Sequence, residues 1–149
     1  MGTDVARTEL AWLEAISQSF ESHSFVDFNR SMLPALVAKY GHLVRDDLHG
    51  LAPLTFRIPD SGAYTWWPSF EGIRVVEDCA ADGTVVELSE RTFSEFVNEL
   101  LTASGAERTG RAAIARGTLA DWQRWEPALQ SLCSGRDLRH GGVGDLARP

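Results

Sequence analysis

Lysine is all but missing from this 149-residue chain: Lys39 is the single example, and the other basic side chains are arginines. A GC-rich genome, rather than any function, is the expected source of that bias. Positive charge is short overall, since 21 acids against 14 bases leave a formal net charge of -7. A dedicated nucleic-acid binder needs a basic face to displace counterions, so no nucleic-acid partner is expected. Cysteine is scarce as well. Cys79 and Cys133 stand at no zinc or redox spacing, and two reduced thiols in a cytoplasmic protein are the expectation. Long apolar runs are missing. Residues 32–38 form the longest, broken by Pro34, whereas a spanning helix needs about 20 residues. The first twenty residues hold Asp4, Glu9 and Glu14 and lack the uninterrupted apolar core of a secretory signal.

Catalytic signatures are missing too. A phosphate-binding loop ends in Lys-Ser or Lys-Thr, but Lys39 precedes Tyr40. No glycine-rich turn leads from a strand into a helix, and Gly141, Gly142 and Gly144 have no helix after them. His23, His42, His49 and His140 have no second ligand at a recognised spacing. His42 and His49 with Asp46 or Asp47 could approach a metal only if three of them converged; solvated loop residues are the simpler reading. No serine sits in a nucleophile elbow and neither cysteine has a nearby base. These residues predict neither an enzyme nor a cofactor.

What the chain does have is an ordinary globular composition, 44% hydrophobic and 23% charged, long enough for one core. Residues 1–133 read as a single domain and 134–149 as a polar, glycine-rich tail. Leu10, Leu13, Ile16 and Phe20 make an apolar stripe over residues 4–20, with Trp12 at its margin. A second helix is read within 27–43, centred on 32–40, with Asp27 or Ser31 as caps and Gly41 as a break. Pro34 is the difficulty, since it kinks a helix that starts at Asp27. The period then drops to two: residues 54–58, 64–67, 73–77 and 84–88 read as strands joined by turns at Asp60-Ser61-Gly62 and Ala81-Asp82-Gly83. Such short links favour an antiparallel meander.

Residues 85–132 organise the rest. Phe93, Phe96, Val97, Leu100 and Leu101 recur at helical spacing over 90–103, behind Ser89 as N-cap and before Gly105 as C-cap. Residues 111–116 are a weak, alanine-rich strand. Thr118 caps a last helix with Leu119, Trp122 and Trp125, which Pro127 ends or restarts towards Leu132. The fold class is α+β: a largely antiparallel four- to five-stranded sheet with helices packed on one face. Five tryptophans are generous for this length. Trp66 and Trp67 are consecutive and must face opposite sides of a sheet. Two readings stay open: the aromatics are core, or they line an apolar pocket that they do not fill.

Pro34-Ala35-Leu36-Val37-Ala38, Leu54-Thr55-Phe56-Arg57, Ala63-Tyr64-Thr65-Trp66, Ile73-Arg74-Val75-Val76-Glu77 and Trp125-Glu126-Pro127-Ala128-Leu129 carry a likeness. The series resembles the sterol carrier protein type-2 fold, and more closely the segment ahead of the catalytic domain in bacterial phytanoyl-CoA dioxygenase-like proteins. That resemblance covers about residues 27–135. It implies an apolar cavity for a fatty acid, acyl-CoA or sterol between the sheet and the helices of 90–103 and 118–132. Phe93, Phe96, Val97, Leu100, Trp122 and Trp125 would line it, with Trp66 or Trp67 as a wall. In the two-domain relatives an iron- and oxoglutarate-dependent oxygenase follows, which needs a His-x-Asp pair; no histidine here has Asp two positions on. The expectation is therefore a non-enzymatic lipid-binding module. The alternatives are the accessory domain of such an enzyme without its catalytic half, and a packed interaction domain without ligand.

Overall fold

Pro34 decides how the first described helix begins. Proline lacks an N–H and its ring presses on the carbonyl four residues back, here that of Arg30. The chain answers with one wider turn just before it. α1 (Phe25–Asp27) leads into a π-helical turn over Phe28–Met32, then α2 (Leu33–Tyr40) with Pro34 in its first turn, then a 3-10 turn over Gly41–Leu43. The cap is neither Asp27 nor Ser31 but Ser24, whose Oγ accepts from Asp27 N at 3.3 Å. The computed structural model describes residues 23–135. The helix expected over 4–20, Trp12 and the tail beyond Gly135 lie outside the described residues.

The wide turn has a consequence for packing. It turns Asn29 into the core, where Nδ2 donates to Phe25 O at 2.9 Å and Oδ1 accepts from Trp66 Nε1 at 2.8 Å. The α-helix ends at Tyr40, so Gly41 does mark a break, and the chain tightens there into the 3-10 turn. Glycine is needed because any Cβ would run into Glu71 O on the neighbouring hairpin.

Four strands appear where the period-two pattern puts them: β1 (Leu54–Ile58), β2 (Gly62–Ser69), β3 (Gly72–Val76) and β4 (Thr84–Leu88). With β5 (Ala112–Arg116) they form one sheet in the order β3-β2-β1-β4-β5. The meander ends at β3. β4 does not pair with β3 but lies parallel to β1, with Leu54 opposite Thr84; the other three pairings are antiparallel. Register explains why a seven-residue link can join β3 to β4. Val76 stands level with Thr65, and Thr65 with Thr55, so β3 finishes at the height where β1 and β4 begin. No long return is needed. Residues 77–83 cross the sheet on the side opposite Trp66, where Thr65 Oγ1 donates to Asp78 O at 2.7 Å and accepts from Ala80 N at 3.1 Å. Arg116 fixes the end of the crossing, giving Nε to Gly83 O at 3.1 Å and Nη2 to Asp82 O at 2.9 Å.

The helix expected over 90–103 ends early, and a second begins only at Ala103. α3 (Glu90–Val97) starts at Ser89, whose Oγ accepts from Thr92 N at 3.1 Å, and it ends at Asn98. Asn98 Nδ2 donates to Ser94 O at 2.9 Å, and Glu99 follows with φ 63°, a left-handed stop. α4 (Ala103–Arg108) then starts afresh behind Thr102, so Gly105 lies inside a helix and caps nothing. The closing helix also divides, into α5 (Leu119–Gln123) and α6 (Glu126–Ser134), with Pro127 in the first turn of α6. Thr118 Oγ1 accepts from Asp121 N at 3.1 Å as the cap pattern predicts.

The core lies between the helices and the face carrying Leu54, Phe56, Tyr64, Trp66, Ile73, Val86 and Leu88, all buried. The α+β class and the largely antiparallel sheet therefore stand.

Candidate functional site

Six of the eight side chains expected to line a cavity are buried, and five belong to one aromatic cluster. Phe56, at the centre of the sheet, meets Trp66 at 4.8 Å between ring centroids, Phe93 at 5.2 Å, Phe96 at 5.8 Å and Trp122 at 6.0 Å. Phe96 and Trp122 meet at 5.1 Å, and Trp66 meets Trp125 at 6.1 Å. Most of these pairs are edge to face, the arrangement favoured by ring quadrupoles. Among the described residues these rings pack on one another between the sheet and the helices. Two indoles have acceptors: Trp66 Nε1 has Asn29, and Trp125 Nε1 gives to Ala52 O at 3.0 Å. Trp122 Nε1 is buried without one.

The other two residues are elsewhere. Leu100 lies in the turn after α3 and is 39% exposed, because the helix that would have carried it inward stops at Val97. Trp67 is half-buried on the opposite side of the sheet from Trp66.

Val97 leads to a different opening. It lies beside a groove of about 390 Å³ between the first helical stretch and the ends of α3 and α6. Phe28, Met32 and Leu36, four residues apart, line one wall; Val97, Asn98 and Glu99 line the second; Cys133 and Ser134 line the third, and His23 contributes as well. Phe28 and Val97 are buried, while Met32 and Leu36 are half-buried. The groove rests on the aromatic cluster, since Phe28 meets Phe93 at 5.5 Å. Cys133 exposes its outer flank, but its sulfur faces Val97 O at 3.9 Å. Burial pushes that thiol up to about 11, and the Glu99 carboxylate adds to the effect. The thiol therefore stays protonated at neutral pH. Sequence reasoning named Val97 but missed Phe28, Met32 and Leu36, although their spacing marks one helix face.

Two other openings are lined differently. A cleft of about 670 Å³ beside Arg45, His49 and Phe70 is rimmed by charged and polar groups. Phe70, 82% exposed, has Arg45 stacked on it at 5.2 Å. A recess of about 30 Å³ between Phe96, Leu101 and Leu129 holds Glu126, whose Oε1 accepts from Ala103 N at 3.3 Å. Burial raises the Glu126 carboxyl above its ordinary value, and the Ala103 N–H opposes this. Among the described residues no three His, Cys, Asp or Glu side chains converge on a metal position, His42 and His49 included. Nor is any described helix long and apolar enough to cross a membrane.

No family model matches this sequence, and no curated protein does. Solved structures do resemble the chain. A crystal structure of sterol carrier protein 2 is 18% identical with a TM-score of 0.50, covering 66% of this chain and 91% of its own. The apo form of sterol carrier protein 2 from Yarrowia lipolytica is 16% identical with a TM-score of 0.48, covering 76% and 97%. A protein described as "UbiJ-SCP2 Ubiquinone synthesis protein" is 17% identical with a TM-score of 0.48, covering 83% and 90%. At such identities the likeness is one of architecture, and in architecture this chain has the sterol carrier protein 2-like fold.

Proposed function

We propose that this chain is a carrier or sensor of an apolar small molecule with one polar end, held in the groove between α2 and the ends of α3 and α6. The observation that carries the reading is the groove itself. Its apolar wall of Phe28, Met32, Leu36 and Val97 and its volume of about 390 Å³ fall in the range of small-molecule sites, about 300–1,000 Å³. The name of the sterol carrier proteins, whose fold it shares, points to the same ligand class. Affinity would come from apolar burial at about 25 cal/mol per Å², less the cost of ordering the ligand. In this reading Phe93, Phe96, Trp66, Trp122 and Trp125 support the groove floor from behind, and Val97 touches the ligand.

Titration of the full chain with N-phenyl-1-naphthylamine, a neutral apolar fluorophore, tests this. Saturable binding near one site per chain is expected. Leu36→Trp, which fills the groove from a half-buried position, should weaken binding at least tenfold while leaving the melting temperature little changed. Absence of saturation, or equal binding by Leu36→Trp, refutes the proposal. One observation favours a second reading, a packed interaction domain: the aromatic cluster closes on itself between sheet and helices. Failure of the titration would leave that reading in place.

A further inference from the structure

The wall of the groove built from Phe28, Met32 and Leu36 belongs to a stretch that is not one regular helix. Phe28 opens the π-helical turn and Met32 closes it, and Leu33 N–H donates to Phe28 O, five residues back. Leu36 follows in α2. Turns of this width are rare in helices and recur at functional sites. This one sets how α2 is rotated against Phe25 and Phe28, whose rings are seated on Phe93 at 4.8 Å and 5.5 Å. One residue spans about 100° of an α-helix. A turn that gave back its extra residue would therefore carry Met32 and Leu36 round the axis, away from Val97.

Asn29 holds the turn at its width. It lies within the turn and is buried. Its amide is held at both ends: Nδ2 donates to Phe25 O at 2.9 Å, and Oδ1 accepts from Trp66 Nε1, on β2, at 2.8 Å. Breaking either bond strands a polar group away from water. A second tie from the same turn, the Arg30–Glu77 ion pair at 2.8 Å, is exposed on both sides and contributes little. Given the ligand site proposed above, on which this rests, we infer that Asn29 is a positioning residue of the groove: its bond to Trp66 anchors the π-helical turn to the sheet and so aligns Phe28, Met32 and Leu36 on one wall. Asn29 acts through its neighbours in the turn, Phe28 before it and Met32 after it, and not by touching the ligand.

Titration of full-chain variants with N-phenyl-1-naphthylamine, each at a temperature where circular dichroism shows it folded, tests this. Asn29→Leu, close in size but able to make neither bond, should weaken binding at least about fivefold. Trp66→Phe, which removes the N–H that Asn29 accepts, should weaken it by a similar factor. The double variant should bind about as each single does, because both changes break the same link. Thr118→Ala is the control for lost stability: it removes the cap of α5, lowers the melting temperature, and should bind within about twofold of the parent. Parent-like binding by Asn29→Leu overturns the inference and spares the groove. So do losses that multiply in the double variant, or an equal loss in Thr118→Ala. If Asn29→Leu does not fold, Trp66→Phe against Thr118→Ala decides, and parent-like binding by Trp66→Phe overturns the inference. If the parent itself does not saturate, the groove is not a ligand site, and both readings fall together.

Discussion

Phe93→Ala measures whether the centre of this fold is solid. Phe93 is fully buried, with Phe25 at 4.8 Å, Phe56 at 5.2 Å, Phe28 at 5.5 Å and Trp66 at 6.4 Å. Removing the ring forfeits its transfer free energy and leaves a hole that four rigid aromatic neighbours cannot collapse into. Phenylalanine-to-alanine changes in such settings cost about 3–5 kcal/mol, and four edge-to-face pairs place this site towards the upper end. At a urea m-value of about 2 kcal/mol/M the midpoint would fall by roughly 2 M with the slope unchanged. Tryptophan emission reports the transition, since Trp66 and Trp125 lie in the same cluster. A domain of ordinary stability has only about 5–15 kcal/mol in hand, so Phe93→Leu, expected to cost roughly half as much, keeps the test readable if the alanine variant does not fold. A cost under about 1 kcal/mol would refute the reasoning. It would mean that Phe93 borders empty space and that the internal cavity implied by the family resemblance is real.

The sequence was most legible where one face of an element is apolar and the other is not. The alternation at Leu54, Phe56 and Ile58 located β1, and Ser89 located the start of α3 to the residue. β5 was harder because alanine prefers helix; it is a strand because Leu88 and Val86 supply Ala112 and Ile114 with partners, which only the folded chain provides. The parallel pairing of β1 with β4 was not legible at all. It depends on the stagger of β3 against β1, a relation between residues about twenty apart that no local pattern encodes. The single long helix over 90–103 failed for a related reason. Leu100 and Leu101 continue the apolar spacing, but Asn98 and Glu99 stop the helix through a side-chain bond and a left-handed turn.

Of the site, the identities of the aromatic residues were legible and their arrangement was not. Phe93, Phe96, Trp122 and Trp125 belong to one aromatic cluster, yet whether grouped rings enclose space or consume it depends on distances of about an ångström. The stripe Phe28, Met32 and Leu36 was readable in the segment 27–43. Pro34 interrupts that segment, so the sequence offers no continuous helix on which the stripe could be placed. The π-helical turn that accommodates Pro34 carries both Phe28 into the groove wall and Asn29 into the core, a double role that a residue-by-residue reading divides. The likeness to the segment ahead of phytanoyl-CoA dioxygenase-like catalytic domains is touched by none of the comparisons above.

Two further outcomes test the buried polar groups. Asn29→Ala should destabilise by about 1–3 kcal/mol, because it strands the Trp66 indole N–H in the core; loss of less than about 0.5 kcal/mol in urea unfolding would show that Trp66 finds another acceptor. Glu126→Gln should raise stability at neutral pH and lose that advantage in acid. The Glu126 carboxyl is raised by burial, so between its ordinary value and its raised folded value the native state holds more protons than the unfolded state. Stability therefore falls as pH rises through that window and stays lower above it. Glutamine keeps an oxygen for the Ala103 N–H and carries no charge to desolvate. The melting-temperature difference between Glu126→Gln and the parent should accordingly be positive at pH 7.5 and shrink towards zero below the ordinary glutamate range. A difference of the opposite sign at pH 7.5, or one indifferent to pH, would show that the Ala103 N–H stabilises the carboxylate by more than burial costs it.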